Sequence, residues 1–294
     1  ANSSSAFGYF NTAGGLASSA FGWSNTASAE NASAFGYVNE ASGLASSALG
    51  FRNKAANENA SAVGYGNNAG GVASSAFGFS NVAKVDYASA FGYSNEASGL
   101  ASSAVGFRNK AASENASAIG YGNNANALAA SAVGYNNTAG GVGSSTIGYN
   151  NTATNENASA FGYGNTAGGL ASSAFGFSNT ASGDNANAFG YNNIASGSKS
   201  NVFGTGNTVS GSSSTAVGTS NEVAAENSTA IGNNNTISSG AENSAALGNN
   251  ISISLKDSVA LGNNSTATAI NSVTGNSSYT KWAGVSDVVG VVSV

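Results

Sequence analysis

The chain has 294 residues, 41 of them Gly, with no Pro, Cys, Met or His, and its charged residues make up 7% with a formal net charge of −5. The absence of His and Cys excludes Cys/His zinc sites, thiol nucleophiles, haem ligation and a histidine general base. The shortage of cations argues against a nucleic-acid partner, and no apolar run of about 20 residues could span a bilayer as a helix.

A repeat of 14 residues begins near the first residue and accounts for almost the whole chain. An apolar residue followed by Gly recurs every 14 residues from Phe7-Gly8 to Ile231-Gly232, then after one step of 16 residues at Leu247-Gly248, and finally at Leu261-Gly262. These repeats occupy residues 1–268, and positions within a repeat are numbered here from its Gly. The glycines of the first nine repeats are Gly8, Gly22, Gly36, Gly50, Gly64, Gly78, Gly92, Gly106 and Gly120.

This repeat length predicts the fold class. Fourteen residues are too few for a helix pair or a propeller blade, and Gly and Asn in nearly every copy disfavour a helix. Two strands of about five residues joined by two turns fit, and each coil stacks on the next through backbone hydrogen bonds about 4.8 Å apart. We expect the Gly where the absence of Cβ permits a turn or a close approach. The repeat therefore predicts an all-β parallel β-solenoid.

The columns formed by equivalent positions predict which faces are buried. Positions +2 and +4 vary freely and are expected to face solvent, whereas +1, +3 and +5 alternate with them and are expected to point inward. Position −2 is nearly always Ala and position −1 is Phe, Leu, Val or Ile, so the strand before Gly is predicted to be buried on both faces. A single chain can cover only one of those faces. The pattern therefore predicts that identical subunits cover the other.

Two further columns have both a structural and a functional interpretation. Position +3 is Asn in the first 17 repeats, beginning with Asn11, Asn25, Asn39 and Asn53. Amides that bond up and down the stack are the commoner reason for such a column, so we favour a structural role over a polar binding array. The aromatic residues at +1, from Tyr9 to Tyr191, could stack sugars. Because they share a predicted face with Asn and Ala, packing in the core or between subunits is favoured.

The repeat unit resembles that of a known family. Its spelling NASAIGYGNNA at Asn115–Ala125, and the later copies NSAALGN at Asn243–Asn249 and DSVALGN at Asp257–Asn263, resemble the 14-residue repeat of YadA-like head domains in trimeric autotransporter adhesins. The resemblance implies a left-handed parallel β-roll with three chains side by side. It implies display at the tip of a coiled-coil stalk on the outer membrane of a Gram-negative bacterium, with the membrane anchor outside this chain.

The same resemblance implies partners and a connector. The partners are other copies of the chain and a host matrix protein, another cell or an abiotic surface, with attachment and autoagglutination as the activities. Residues 269–294 form the second predicted domain. Their stretch WAGVSDVVGVVSV from Trp282 resembles the start of a Trp-ring or neck, so Trp282 is expected to belong to a trimer connector.

Four basic residues are candidate surface contacts. Arg52 with Lys54, and Arg108 with Lys110, stand at the variable positions +2 and +4 and are expected to point outward. They could form a cationic band against an acidic surface, although a solvated charge is the usual explanation of such residues. Removal of these charges is expected to matter chiefly at low salt.

No pattern in the sequence points to catalysis. The catalytic motif Ser-x-x-Lys occurs at Ser196-x-x-Lys199 and Ser278-x-x-Lys281, but the other motifs that accompany it in enzymes are missing. Acidic residues do not recur with metal-ligand spacing, so we expect no enzyme, no metal and no cofactor. The alternative to an adhesin is a subunit of a functional amyloid, which is also stackable and rich in Gly and Asn. An ice-binding solenoid is less favoured, because the outward columns are too variable.

Overall fold

The computed structural model describes residues 3–268 and the two-residue strand Val292–Ser293. Every regular element among these residues is a β-strand, and the described part of the chain has no helix long and apolar enough to cross a membrane. The chain divides into two compact units, Ala1–Asn157 and Ala158–Val294. Both units are built from coils about 14 residues apart, which confirms the predicted parallel β-solenoid.

Each coil of the first unit contains one long and one short strand. The long strands are Ser5–Tyr9, Ser19–Trp23, Ser33–Tyr37, Ser47–Phe51, Ser61–Tyr65, Ser75–Phe79, Ser89–Tyr93, Ser103–Phe107, Ser117–Tyr121, Ser131–Tyr135 and Ser145–Tyr149. The short strands are Thr12–Ala13, Thr26–Ala27, Glu40–Ala41, Lys54–Ala55, Asn68–Ala69, Val82–Ala83, Glu96–Ala97, Lys110–Ala111, Asn124–Ala125, Thr138–Ala139 and Thr152–Ala153.

The second unit repeats this arrangement. Its long strands are Ser159–Tyr163, Ser173–Phe177, Asn187–Tyr191, Asn201–Thr205, Thr215–Thr219, Thr229–Asn233, Ala245–Asn249 and Val259–Asn263. Its short strands are Thr166–Ala167, Thr180–Ala181, Ile194–Ala195, Thr208–Val209, Glu222–Val223, Thr236–Ile237, Ser252–Ile253 and Thr266–Ala267. The strand Val292–Ser293 pairs in parallel with Val259–Asn263.

Strand pairing places equivalent positions of successive coils side by side. Ala20 pairs with Ala34, and Gly22 with Gly36, in the parallel register of a shift by one repeat. At the 16-residue step the long strands stay paired, with Thr229 opposite Ala245. The two extra residues are therefore accommodated outside the strands, as the repeat pattern requires.

The core lies between the long and short strands of each coil and is made of small side chains. The residues at −2 and +5, such as Ala62 and Ala69, are fully buried, and so is Asn67 at +3. Alternation along each strand brings these positions to the inside while +4 stays at the surface. The predicted inward placement of +3 and +5 and the predicted outward placement of +2 and +4 are confirmed.

The prediction of two strands of about five residues is wrong for the second strand, which has only two. The residue at +2 adopts a left-handed backbone conformation (Ser24 has φ 55°), and a second left-handed residue occurs at +9 (Asn31 has φ 56°). Each left-handed residue breaks the extended chain. Pairing is confined to +4 and +5, because the chain bends at +2 and turns again from +7 to +9.

Candidate functional site

Both units expose a face of aromatic and aliphatic side chains on the long strands. We call the −1 and +1 columns together the apolar face. In the first unit Phe35 and Leu49 at −1, and Tyr65 and Phe79 at +1, are each between 37% and 43% exposed. An uncovered apolar surface that extends over many coils marks an interaction surface.

The rings of the +1 column are stacked in register. In the first unit the centroids of Tyr37 and Phe51 are 4.8 Å apart with the ring planes at 6°, and those of Tyr65 and Phe79 are 4.7 Å apart at 4°. In the second unit Tyr163 and Phe177 are 4.8 Å apart at 3°. Because each ring covers the face of the next, the column presents mainly ring edges.

The sequence-based prediction that the +1 rings point inward is wrong. The left-handed residue at +2 interrupts the alternation, so +1 belongs to the long strand and +3 to the next extended segment. Along the long strand +1 shares a face with −1, which is outward. Packing of these rings in the core of a single chain is thereby excluded, and packing between subunits stays a prediction.

The asparagines at +3 form a buried ladder in each unit. Asn39 Nδ2 donates to Asn25 Oδ1 at 3.0 Å, to the carbonyl oxygen of Phe35 at 2.9 Å and to that of Gly50 at 2.7 Å. Asn39 Oδ1 in turn accepts hydrogen bonds from the backbone and side chain of Asn53. Asn11 and Asn25 make the corresponding bonds in the first coils. These amides are used within the chain and have no spare donors for a ligand.

The glycine column is where successive coils approach most closely. Gly120 has φ +118°, a conformation that side chains with Cβ rarely adopt, and an added Cβ would overlap the carbonyl oxygen of Gly134 in the next coil. The equivalent glycines from Gly8 to Gly106 have φ between 112° and 119°. A residue without Cβ is therefore required at this point in each coil.

The four basic residues do not have equivalent surroundings. Lys54 Nζ lies 3.2 Å from Glu40 Oε1 in the preceding coil, and Lys110 is placed in the same way beside Glu96. Arg52 and Arg108 are exposed, and each guanidinium lies over the ring of the Phe that precedes it. The sequence contains a signal for this difference, because Glu40 and Lys54 occupy the same position in successive coils.

The described residues bring together no catalytic or metal-binding group. Ser196 Oγ donates to the carbonyl oxygen of Val209 at 3.3 Å, and no group of three or more acidic side chains among the described residues could hold a metal ion. Ser278, Lys281 and Trp282 lie outside the described residues, as does most of the predicted connector 269–294.

Comparison with protein families gives one result. A model described as the YadA head domain repeat (2 copies) matches most of the chain, at residues 13–38, 41–67, 69–95, 97–123, 111–137, 139–165, 167–193, 210–235 and 256–273. The comparison with curated proteins found no match.

Proposed function

The chain belongs to the YadA head domain repeat family, and from this premise we propose that it is the head of a trimeric surface adhesin. The family is a surface-exposed, non-enzymatic adhesin domain of outer-membrane autotransporters. The proposed coil is left-handed, and three parallel copies assemble side by side. The assembly attaches to a matrix protein, another cell or a solid surface, and it agglutinates cells that carry it.

The observation that carries the proposal is the apolar face. Its rings and aliphatic side chains recur at −1 and +1 in the same places in successive coils. A second copy of the chain has the same spacing and can cover this face coil by coil within each unit. Three copies around a shared axis then bury the centre of each face and leave its edge beside the +2 column in solvent. Burial of apolar surface contributes about 25 cal/mol per Å², so coverage over many coils is strongly stabilising.

Attachment itself is proposed to be distributed over many weak contacts. The outward positions +2 and +4 differ from coil to coil, and three copies multiply each contact, so avidity supplies the strength. On a target without acidic groups, removal of residues 37–92, which is four whole coils, should weaken attachment gradually and by about as much as removal of 149–204. If attachment disappears with the first deletion and survives the second, the adhesive site is local and the distributed interpretation is wrong.

Light scattering after gel filtration tests the assembly. At micromolar concentration we expect about three times the chain mass of 28.3 kDa. The triple variant Phe77→Ser, Phe79→Ser, Phe91→Ser, which changes only the apolar face, should weaken the trimer, so that its mass falls toward that of one chain at a higher concentration than for the wild type. Val82→Ser, which changes an outward apolar residue of a short strand, is the control and should stay trimeric. A monomeric wild-type chain, or fibrils seen by electron microscopy, would contradict the proposal.

A further inference from the structure

The surface cations separate into neutralised and free charges. The ammonium groups of Lys54 and Lys110 lie beside the carboxylates of Glu40 and Glu96, at 3.2 and 3.8 Å. Among the described residues no carboxylate lies within ion-pair distance of the guanidinium of Arg52 or Arg108. The two arginines are therefore the members of each basic pair with charge available for an external anion.

Each arginine lies in the same small surface feature. The Cζ atom of Arg52 is 5.2 Å from the ring centroid of Phe51, and that of Arg108 is 5.1 Å from the centroid of Phe107. The next residue of the +2 column is Gly66 in one case and Gly122 in the other. A Cβ at Gly66 would meet only Ser80 Oγ at 3.6 Å, so the space beside the arginine is open. We call each set of Arg, Phe and Gly an arginine notch.

The backbone at the notch is not one that an arginine prefers. Arg52 and Arg108 both have φ 52°, in the left-handed region, where a residue other than Gly or Asn costs about 1 kcal/mol. Other repeats place Gly, Asn, Ser, Val or Phe at this position with a similar φ, for example Gly66, Asn136 and Val38. The coil geometry imposes this conformation on every residue at +2, so it fixes the direction in which Arg52 and Arg108 leave the backbone.

The guanidinium group selects the chemistry of the ligand. Its planar fork of donors fits a carboxylate in a bidentate manner, and the ring beneath holds the fork in place by a cation–π contact. The two notches are four coils apart, which is about 19 Å at the usual strand spacing. Acidic residues in the same repeats, Glu58 and Glu114, and the net charge of −5 oppose a densely charged polymer such as nucleic acid.

We infer that the arginine notches bind the carboxylate groups of a linear acidic polysaccharide with widely spaced charges. The inference rests on the proposed adhesin function, for which it supplies a ligand class. Two notches on one chain can bind two carboxylates of the same polymer, so occupation of one raises the effective concentration at the other. Loss of both arginines should consequently weaken binding more than loss of either.

Binding to immobilised hyaluronate, a linear polymer with a carboxylate on every second sugar, tests the inference. We expect the wild-type chain to bind it and the variant Arg52→Gln, Arg108→Gln to bind at least tenfold more weakly. The variant Arg52→Lys, Arg108→Lys keeps the charge but lacks the fork, and it should also lose most of the affinity. Neutral dextran should not bind.

Lys84 provides the matched control. It is exposed and has no ion pair among the described residues, and it lies over no aromatic ring in the described part of the chain. Lys84→Gln removes one positive charge outside the notches and should leave the affinity within twofold. If Lys84→Gln lowers the affinity for hyaluronate as much as the loss of the arginines does, binding depends on positive charge alone and the inference is wrong. Full affinity in the double glutamine variant would also overturn it. Binding to heparin or DNA in place of hyaluronate would overturn it as well.

The same samples keep the inference separate from the proposed function. Circular dichroism and light scattering should show that the double glutamine variant keeps its fold and its mass. If the wild-type chain binds hyaluronate through the arginines but is monomeric, the proposed trimeric head is wrong and the notch stands. If it is a trimer that attaches to protein-coated surfaces but does not bind hyaluronate, the inferred ligand of the arginine notches is wrong and the proposed adhesin function is retained.

Discussion

The coils of the first unit and the last five described coils use the same backbone but distribute apolar side chains differently. In the first unit the core positions are almost all Ala, Asn and Ser, and aromatic rings lie outside at +1. From Val202 onward larger side chains enter the core, including Val209, Ile237 and Ile253. At +1 the rings are replaced by Thr205, Thr219, Asn233, Asn249 and Asn263, while the −1 column stays apolar.

The difference shows that one coil geometry can be stabilised in two ways. Each buried methylene contributes about 0.8 kcal/mol, so an Ala core gains much less than a Val or Ile core. The first unit depends more on its amide ladder and on whatever covers its apolar face. The last coils hold more of their stabilising apolar surface inside the chain.

The largest effect is expected where the two regions are alike. Gly120→Val and Gly232→Val each introduce a Cβ that overlaps the next carbonyl oxygen, at φ +118° and +124°. Each should lower the free energy of unfolding by about 3 kcal/mol or more, as measured by urea unfolding followed by circular dichroism. Deletion of residues 107–120, a whole coil, should cost far less because the neighbours can stack again. A deletion that destabilises more than Gly120→Val would contradict the coil architecture.

The next effect has a different physical cause in each kind of core. Asn81 Nδ2 donates to the carbonyl oxygens of Phe77 and Gly92, and its Oδ1 accepts from the backbone N–H of Asn95. Asn81→Ala leaves these buried groups unpaired and should cost about 3 kcal/mol. This is as much as Ile253→Ala, for which cavity formation costs about 2–5 kcal/mol.

Hydrogen exchange in each unit, together with urea unfolding, would measure these two changes. Asn68→Ala removes an amide of the same size from an exposed position and should change stability by less than about 0.5 kcal/mol. An Asn81→Ala variant as stable as Asn68→Ala would show that the ladder does not stabilise the first unit.

The smallest effect is expected from the surface ion pairs of the first unit. Lys54 and Glu40 side chains are half exposed, at 50% and 45%, and such pairs contribute about 0.2–1 kcal/mol. Lys54→Gln should therefore lower stability by less than about 1 kcal/mol, and the difference should shrink in 1 M salt. A loss that persists in high salt would mean that the lysine stem, and not its charge, is what stabilises the coil.

The sequence was sufficient to predict the coil length, the parallel stacking, the buried Ala and Asn columns and the outward variable columns, because each follows from period and alternation. It was not sufficient for the aromatic column. The residue at +2 that breaks the alternation is Phe10, Val38 or Arg52 in some coils, and none of these signals a left-handed turn. The division between paired lysines and free arginines is signalled only when equivalent positions of successive coils are compared, since Glu40 and Lys54 both occupy +4.

The buried asparagine ladder has a consequence for how the chain acquires its structure. Each of its rungs in the first unit joins residues 14 positions apart, as from Asn25 to Asn39, and the strand pairs of that unit have the same separation. The mean contact separation therefore does not grow as coils are added, unlike that of most β-proteins, in which distant pairings slow folding. A completed coil presents an amide oxygen that the backbone and side chain of the following coil can reach at once. Folding can thus advance coil by coil as the chain emerges, at a pace set by one repeat and not by the length of the protein.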